Sequence, residues 1–156
     1  MRISVIGCGY LGAVHAAAMA KLGHDVVGVD VDAAKVDDLA NARAPFFEPG
    51  LPELLAESSE SGRLRFTTDM SEIAGSQVHF LCVGTPQKRG EFGADLVYVN
   101  SAFDAMLPHV SPGDVIAGKS TVPVGTAENL AERLAVVEPG AALVWNPEFL
   151  REGFAV

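Results

Sequence analysis

RISVI-GCGYLG, residues 2–12, is the stretch of this chain that decides its fold. Residues 2–6 have the length and apolar character of a buried strand. They lead directly into Gly7-Cys8-Gly9-Tyr10-Leu11-Gly12, whose glycines are spaced as G-x-G-x-x-G. In such a turn the first glycine permits a tight bend, the second lets the backbone approach a pyrophosphate, and the third lets helix and strand pack closely. The stretch predicts the first strand and helix of a dinucleotide-binding sheet. A tight turn between strand and helix that binds no ligand would have the same sequence pattern.

Outward from this turn, apolar runs of strand length alternate with segments of helical period, which is typical of a parallel sheet covered by helices on both faces. Strands are predicted at 2–6, 25–29, 63–67, 78–83, 114–118 and 141–145, with the polar 63–67 near an edge. Helices are predicted over 11–22 with Gly23 as C-cap, from an Asp32 N-cap to about 41, over 51–57, over 96–110, and from 126 to 137. We therefore expect one α/β domain over 1–156, a doubly wound Rossmann sheet of order 3-2-1-4-5-6 in three α/β/α layers.

The composition excludes several classes of partner. The chain has 156 residues, 49% hydrophobic and 20% charged, as expected of one globular domain. Its net charge of −9 repels nucleic acid and anionic membranes, so a phosphate must be held by local groups such as a helix N-terminus. The strand at residue 2, the absence of a long apolar run and the two unpaired cysteines predict a reduced, cytoplasmic domain without signal peptide, membrane span or metal site.

Asp30 stands at the end of the second predicted strand, 18 residues after Gly12. A carboxylate at this point accepts hydrogen bonds from the ribose hydroxyls and repels a 2′-phosphate, which favours NAD over NADP. Lys35 follows on the next helix, from which it would reach the ribose or a phosphate. On spacing alone, a solvated lysine on the helix surface explains Lys35 equally well.

Three polar clusters follow predicted strands: Val83-Gly84-Thr85-Pro86, Lys119-Ser120-Thr121-Val122-Pro123 and Asn146-Pro147-Glu148. Ligands of a doubly wound sheet bind outside the carboxyl ends of its strands, so the three clusters together predict a site. Glu148 and Glu152 are four residues apart, and one helical turn would place both carboxylates on the same face. The spacing by itself favours an exposed acidic helix start over a catalytic pair.

Other residues receive structural interpretations. Cys8 and Cys82 fall in the glycine turn and a buried strand, where they are predicted to be small apolar fillers and not nucleophiles. Trp145 is predicted to be a core residue. The segment Glu48-Pro49-Gly50-Leu51 has no chemistry that its residue types reveal.

These motifs, in this order, resemble the N-terminal NAD-binding domain of the UDP-glucose/GDP-mannose dehydrogenase family, and within it the UDP-glucose 6-dehydrogenases. The matching runs cover essentially the whole chain: GCGYLG (7–12), GHDVVGVDVDAAKV (23–36), FFEPGLPELL (46–55), GRLRFTTD (62–69), CVGTP (82–86), KSTVPVGT (119–126) and NPEFLREG (146–153). The resemblance implies oxidation of a UDP-sugar C6 alcohol to the carboxylate, with two NAD used in succession.

Carried over by residue, the resemblance implies NAD contacts at the turn Gly7, Gly9, Tyr10, Leu11 and Gly12, and at Asp30, Lys35, Thr85, Thr121 and Glu152. Leu11 stands where the family usually has valine. The run Glu148, Phe149, Leu150, Arg151 and Glu152 resembles the family's sugar-nucleotide loop. In it Glu148 is the carboxylate of the hydrolytic step, and Thr121 supplies a hydroxyl that orders a water or the developing oxyanion.

The main departure from the family is in what this chain does not contain. The family's covalent cysteine, its catalytic lysine, its central helix and its C-terminal nucleotide-sugar domain lie beyond residue 156. We therefore expect this chain alone to be inactive and the full-length protein to be a homo-oligomer. Two alternatives stay open: a sibling enzyme acting on UDP-N-acetylmannosamine or GDP-mannose, and a non-catalytic NAD-binding module.

Overall fold

Six parallel strands form one sheet in a computed structural model that describes residues 1–156. The strands are β1 (Arg2–Ile6), β2 (Asp25–Val29), β3 (Leu64–Thr67), β4 (Val78–Leu81), β5 (Val115–Gly118) and β6 (Ala142–Trp145). Their order is β3-β2-β1-β4-β5-β6, and every neighbouring pair is parallel. The predicted doubly wound fold and strand order are confirmed, including the edge position of β3.

Five helices connect the strands: α1 (Tyr10–Lys21), α2 (Ala33–Ala40), α3 (Leu51–Glu60), α4 (Val97–Met106) and α5 (Thr126–Val137). Asp32 caps α2 as predicted, since its carboxylate accepts from the N–H groups of Ala34 and Lys35. At the end of α1 the C-cap is Leu22, one residue earlier than the predicted Gly23, which follows it with φ +95°. None of these helices is both long and apolar enough to cross a membrane.

The α4 helix is shorter than the predicted 96–110. It ends at Met106 and continues as a 3₁₀ turn over Leu107–His109. Pro108 explains this end, because proline has no N–H to donate and its ring clashes with the preceding turn of an α-helix. A second 3₁₀ turn, Met70–Ile73, was not predicted.

Two apolar layers cover the sheet. One contains Val5 and Val26 with residues of α1 and α3, such as Leu55. The other contains Ile116 with residues of α4 and α5, such as Phe103 and Leu130. Because both layers pack on the sheet faces, the carboxyl ends of the strands stay open, and the winding reverses between β1 and β4. This is the point at which open α/β sheets bind ligands.

The last residues correct one expectation from the sequence. No helix forms after β6, so Glu148 and Glu152 do not share a helical face, and neither is an acidic helix start. The segment instead turns at 151–154, where the Phe154 N–H donates to the Arg151 carbonyl at 3.1 Å. The N–H of Glu148 donates to Lys119, and those of Gly153, Ala155 and Val156 donate to Glu48, so these amides are bonded to distant residues and not within a helical turn.

Candidate functional site

The glycine turn between β1 and α1 has a distinct geometry at each glycine. Gly7 has φ +89°, a conformation that favours glycine. A Cβ at Gly12 would lie 1.8 Å from the Gly7 carbonyl oxygen, so the start of α1 and the turn approach too closely for any side chain. A Cβ at Gly9 would meet no atom within 4 Å. Gly9 therefore faces open space at the N-terminus of α1, where backbone N–H groups can receive an anion.

Asp30 is 8% exposed and holds three groups together. Its carboxylate accepts from the N–H of Cys8 at 2.8 Å, from the N–H of Asp32 at 3.0 Å and from the Lys35 ammonium at 2.9 Å. The glycine turn, the end of β2 and the start of α2 thus share one carboxylate. Lys35 is neither a free surface lysine nor directed away from the site, because it forms an ion pair with Asp30.

A cavity of about 520 Å³ opens beside this carboxylate and is named the switch-point cavity here. Gly7, Gly9, Asp30 and Lys35 form its polar side. Its other walls are largely apolar and come from strand ends and from α4, including Ile6, Val29, Met70, Val83, Tyr98, Ala102 and Ala105. This volume is typical of small-molecule and cofactor sites. A dinucleotide fits the donor set: phosphate at the turn, ribose at Asp30 and a base against the apolar wall.

Thr85, Thr121 and Glu148 lie past the ends of β4, β5 and β6, at the same edge of the sheet but outside the lining of this cavity. The Thr85 hydroxyl donates to the Thr121 carbonyl at 2.8 Å. The N–H of Glu148 donates to the carbonyl of Lys119 at 3.1 Å, and the Glu148 carboxylate lies 3.6 Å from the Lys119 ammonium. The structure therefore pairs Thr85 with Thr121, and Glu148 with Lys119.

The surroundings of Glu148 favour its ionised form. A hydrogen bond from the Phe149 N–H, assisted by the Lys119 and His15 charges, holds the pKa of Glu148 below its usual range, although desolvation opposes this. Burial, with the nearby Lys119 charge, lowers the pKa of His15. Glu148 is thus an ionised carboxylate near neutral pH.

The remaining predicted substrate residues are exposed. Phe149 is 77% exposed, and the Arg151 guanidinium lies 4.1 Å from the centre of the Phe154 ring. Glu152 forms no ion pair or side-chain hydrogen bond and does not line the switch-point cavity. Apart from the contact of Arg151 with the Phe154 ring, these side chains can meet a ligand or another polypeptide without first breaking contacts of their own.

Two residues of this region, Lys119 and Glu48, were not given an individual role from the sequence. Lys119 is only 7% exposed, which is unusual for a lysine. Its position directly after the buried strand β5 was the sequence feature that could have indicated this burial. Glu48 is 4% exposed and contacts both the glycine turn and the segment after β6. No local pattern reveals Glu48, because its partners are distant in the chain.

The cysteines are as the sequence predicted. Both are buried and free, and burial is the main cause that raises the pKa of Cys8 and raises that of Cys82 to about 12. Neither supplies a thiolate near neutral pH. Trp145 is only half-buried, and its indole N–H donates to the Ser120 carbonyl at 3.0 Å.

A family model, the UDP-glucose/GDP-mannose dehydrogenase family, NAD binding domain, matches residues 1–156. The chain belongs to this family. Its cofactor is NAD, as the glycine turn and Asp30 predicted, and the family resemblance seen in the sequence is confirmed.

Relatives within the family differ in the substrate they are named for. The chain is 45% identical over 159 residues to a UDP-glucose 6-dehydrogenase of Rhizobium meliloti, covering 100% of this chain and 36% of that protein. It is 41% identical over 167 residues to a GDP-mannose 6-dehydrogenase of Azotobacter vinelandii, covering 100% of this chain and 38% of that protein. The chain thus spans little more than a third of the length of these relatives.

Similar solved structures are also dehydrogenases named for different nucleotide sugars. A UDP-glucose dehydrogenase from Pyrobaculum islandicum matches with a TM-score of 0.89 and 42% identity, over 99% of this chain and 37% of that one. A UDP-D-ManNAc dehydrogenase from Pyrococcus horikoshii matches with a TM-score of 0.93 and 30% identity, over 98% of this chain and 37% of that one. The fold and the family are common to enzymes named for several nucleotide sugars.

Proposed function

We propose that this chain is the NAD-binding part of a UDP-glucose 6-dehydrogenase, which oxidises UDP-glucose to UDP-glucuronate with two NAD. The observation that supports this best is the buried Asp30 carboxylate at the rim of the switch-point cavity, beside the open Gly9. The 45% identity to a UDP-glucose 6-dehydrogenase favours that substrate.

The cofactor contacts follow from the geometry of the turn. NAD, when bound, supplies the hydride acceptor. In the proposal, N–H groups at the start of α1 hold its pyrophosphate, with Gly9 allowing close approach and Asp30 accepting from the ribose. Tyr10, Leu11, Lys35, Thr85 and Glu152 are proposed further contacts, which the resemblance alone suggests.

The reacting groups are proposed at the edge formed by the ends of β5 and β6. The ionised Glu148 accepts a proton from the water that attacks in the hydrolytic step. The Thr121 hydroxyl orders that water or donates to the developing oxyanion. Phe149, Leu150, Arg151 and Glu152 bind the sugar nucleotide beside them.

The second oxidation requires a thiolate that forms a covalent adduct with the aldehyde. Cys8 and Cys82 are both buried, which excludes them from this step. We propose that the nucleophile, the catalytic lysine and most of the sugar pocket come from sequence outside this chain, and that the whole protein is a homo-oligomer. The isolated chain would then bind NAD without turnover.

A sibling activity on GDP-mannose is the second candidate, because a GDP-mannose 6-dehydrogenase is 41% identical. The deciding experiment measures NADH formation by purified 1–156 with UDP-glucose, GDP-mannose or UDP-N-acetylmannosamine. Each is repeated after adding, as a separate polypeptide, the remaining portion of the Rhizobium meliloti relative or, in a parallel mixture, that of the Azotobacter vinelandii relative. We expect no turnover by 1–156 alone, turnover of UDP-glucose with the Rhizobium portion, and no turnover of GDP-mannose with the Azotobacter portion; the reverse pattern would favour the GDP-mannose activity. Steady NADH production by 1–156 alone would refute the assignment of the nucleophile.

A further inference from the structure

Glu48 has a carboxylate whose contacts the proposed function does not use. Its Oε2 accepts from the Tyr10 hydroxyl and from the N–H of Gly153 at 2.7 Å. Its Oε1 accepts from the N–H groups of Ala155 at 2.8 Å and Val156 at 3.2 Å. Two oxygens thus receive four hydrogen bonds from parts of the chain that are far apart in sequence.

The backbone around Glu48 is held at the start of α3. Gly50 is the N-cap of α3 with φ +84°, and Leu51 is fully buried in the core. The Leu51 N–H donates to the Glu48 carbonyl at 3.2 Å. A Cβ at Gly50 would lie only 3.2 Å from the Val156 side chain, so glycine leaves room for that residue. Glu48 therefore lies two residues before the N-cap of α3, with its carbonyl bonded to the first residue of that helix.

Tyr10 joins this carboxylate to the glycine turn. It is the first residue of α1, directly after Gly9. Its ring packs edge-on against Phe46, with centroids 5.1 Å apart. Its hydroxyl donates to Glu48 and accepts from the Gly153 N–H at 3.2 Å. Burial and the hydrogen bond to Glu48 raise the pKa of Tyr10 to about 12, so the hydroxyl keeps its proton.

The exposed residues 149–152 thus lie between two fixed ends. At one end the Glu148 N–H is bonded to the Lys119 carbonyl at 3.1 Å. At the other, Glu48 and Tyr10 hold the amides that begin at Gly153. The segment has neither helix nor strand to order it, so its geometry depends on these two ends.

We propose that Glu48 is a positioning residue: with Tyr10 it forms a clamp that fixes residues 149–152 relative to the glycine turn. The inference rests on the proposed function for what the segment binds, a nucleotide sugar. A loop fixed before its ligand arrives avoids the ordering cost on binding and keeps reacting groups within catalytic distance. Through Tyr10, the same clamp fixes the sugar segment against the cofactor turn.

The clamp is tested on this chain with Glu48→Gln, which keeps the side-chain shape but removes the charge and one acceptor oxygen. The matched control is Glu53→Gln, an exposed glutamate of α3 without a side-chain hydrogen bond. Trypsin cleavage after Arg151 is compared with cleavage after Arg89, an exposed arginine in the 87–94 loop. We expect the ratio of the cleavage rate after Arg151 to that after Arg89 to rise at least about tenfold in Glu48→Gln. This is the change expected from the loss of one charge-assisted hydrogen bond, and the ratio should stay unchanged in the control.

This ratio separates local release from general unfolding, because a destabilised domain would be cleaved faster at both arginines. Tyr10→Phe removes only the hydroxyl and should give a smaller rise in the cleavage ratio. If Glu48→Gln does not fold, Tyr10→Phe is the variant that tests the clamp. An unchanged ratio in the variants, or an equal rise in Glu53→Gln, would overturn the clamp.

The positioning role has its own readout in the mixture described for the proposed function. There Glu48→Gln should raise the KM for the nucleotide sugar several-fold and change the NAD affinity less, because most of the proposed cofactor contacts lie in the switch-point cavity. A released segment with an unchanged KM would overturn the positioning role. The cleavage ratio needs no substrate or turnover, so a mixture that never forms NADH would refute the proposed function and leave the clamp to be decided by trypsin.

Discussion

The switch-point cavity and the 149–152 segment are proposed to serve the same reaction, yet they are built differently. The cavity is lined by the ends of β1, β2 and β4 and by α4, all parts of the packed fold. The segment has no regular structure and is held at its two ends, with the Tyr10 hydroxyl also 3.3 Å from the Arg151 carbonyl oxygen. The cavity is therefore formed by packed helices and strands, whereas the segment is an irregular stretch bonded to them.

The difference bears on where each binding partner finds its contacts. The cavity presents a turn, a carboxylate and an apolar wall within this chain, so NAD binding should survive in 1–156. The segment presents exposed side chains such as Phe149 with few contacts of their own. Substrate recognition should therefore depend on a second protein surface outside this chain, whereas cofactor binding should not.

Gly12→Ala should show the largest effect, because it tests whether the cavity depends on the packing of the fold. The added Cβ would lie 1.8 Å from the Gly7 carbonyl oxygen. This oxygen belongs to the backbone, so it cannot easily move to relieve the clash. We expect a loss of roughly 3 kcal/mol or more in the free energy of unfolding, measured by urea denaturation. Gly9→Ala is the matched control, with φ −68° and no atom within 4 Å of its Cβ, and should cost about 1 kcal/mol at most, because alanine is a poorer N-cap than glycine. Equal stabilities would contradict this contrast.

Gly9→Val should separate binding from folding in the same turn. The valine side chain would fill the space through which the pyrophosphate approaches, while the core stays untouched. NAD affinity, measured by calorimetric titration, should fall on the order of a hundredfold, equivalent to about 3 kcal/mol, with little change in the thermal unfolding midpoint. Normal NAD affinity in this variant would mean that the cofactor lies elsewhere.

Asp30→Ala should have the next largest effect. Losing a charged acceptor should cost about 1.5–3 kcal/mol of NAD binding energy. Wild type should bind NADP much more weakly than NAD, because the carboxylate repels a 2′-phosphate, and the variant should narrow that difference. Titration of both cofactors into wild type, Asp30→Ala and the exposed Asp37→Ala checks this. Equal NAD and NADP affinities in the wild type would refute the role of Asp30.

The contrast between the two regions also explains what could be predicted from the sequence. The strands, the glycine turn and the position of Asp30 follow from local periodicity and from short spacings, so the cavity was largely predictable. The ion pair of Asp30 with Lys35 spans five residues, but the bond from Gly153 to Glu48 spans 105. A contact at that separation depends on how α3 and β6 are placed in space, and no sequence pattern along the chain indicates it. For the same reason the helical turn expected at 148–152 was wrong.

A fall in pH should act on the segment side and give the smallest of these effects, since it involves one half-buried side chain. Burial and the nearby Lys119 lower the pKa of His15. Because the folded pKa lies below the unfolded value of about 6.5, stability is complete above pH 6.5 and falls as the pH drops towards the folded pKa. The buried His79 contributes with the same sign, so the test is the difference between wild type and His15→Gln. As the pH is lowered from about 7.5 to about 5, the thermal unfolding midpoint should fall less steeply in His15→Gln than in wild type. Parallel curves for wild type and His15→Gln would show that burial does not lower the pKa of His15.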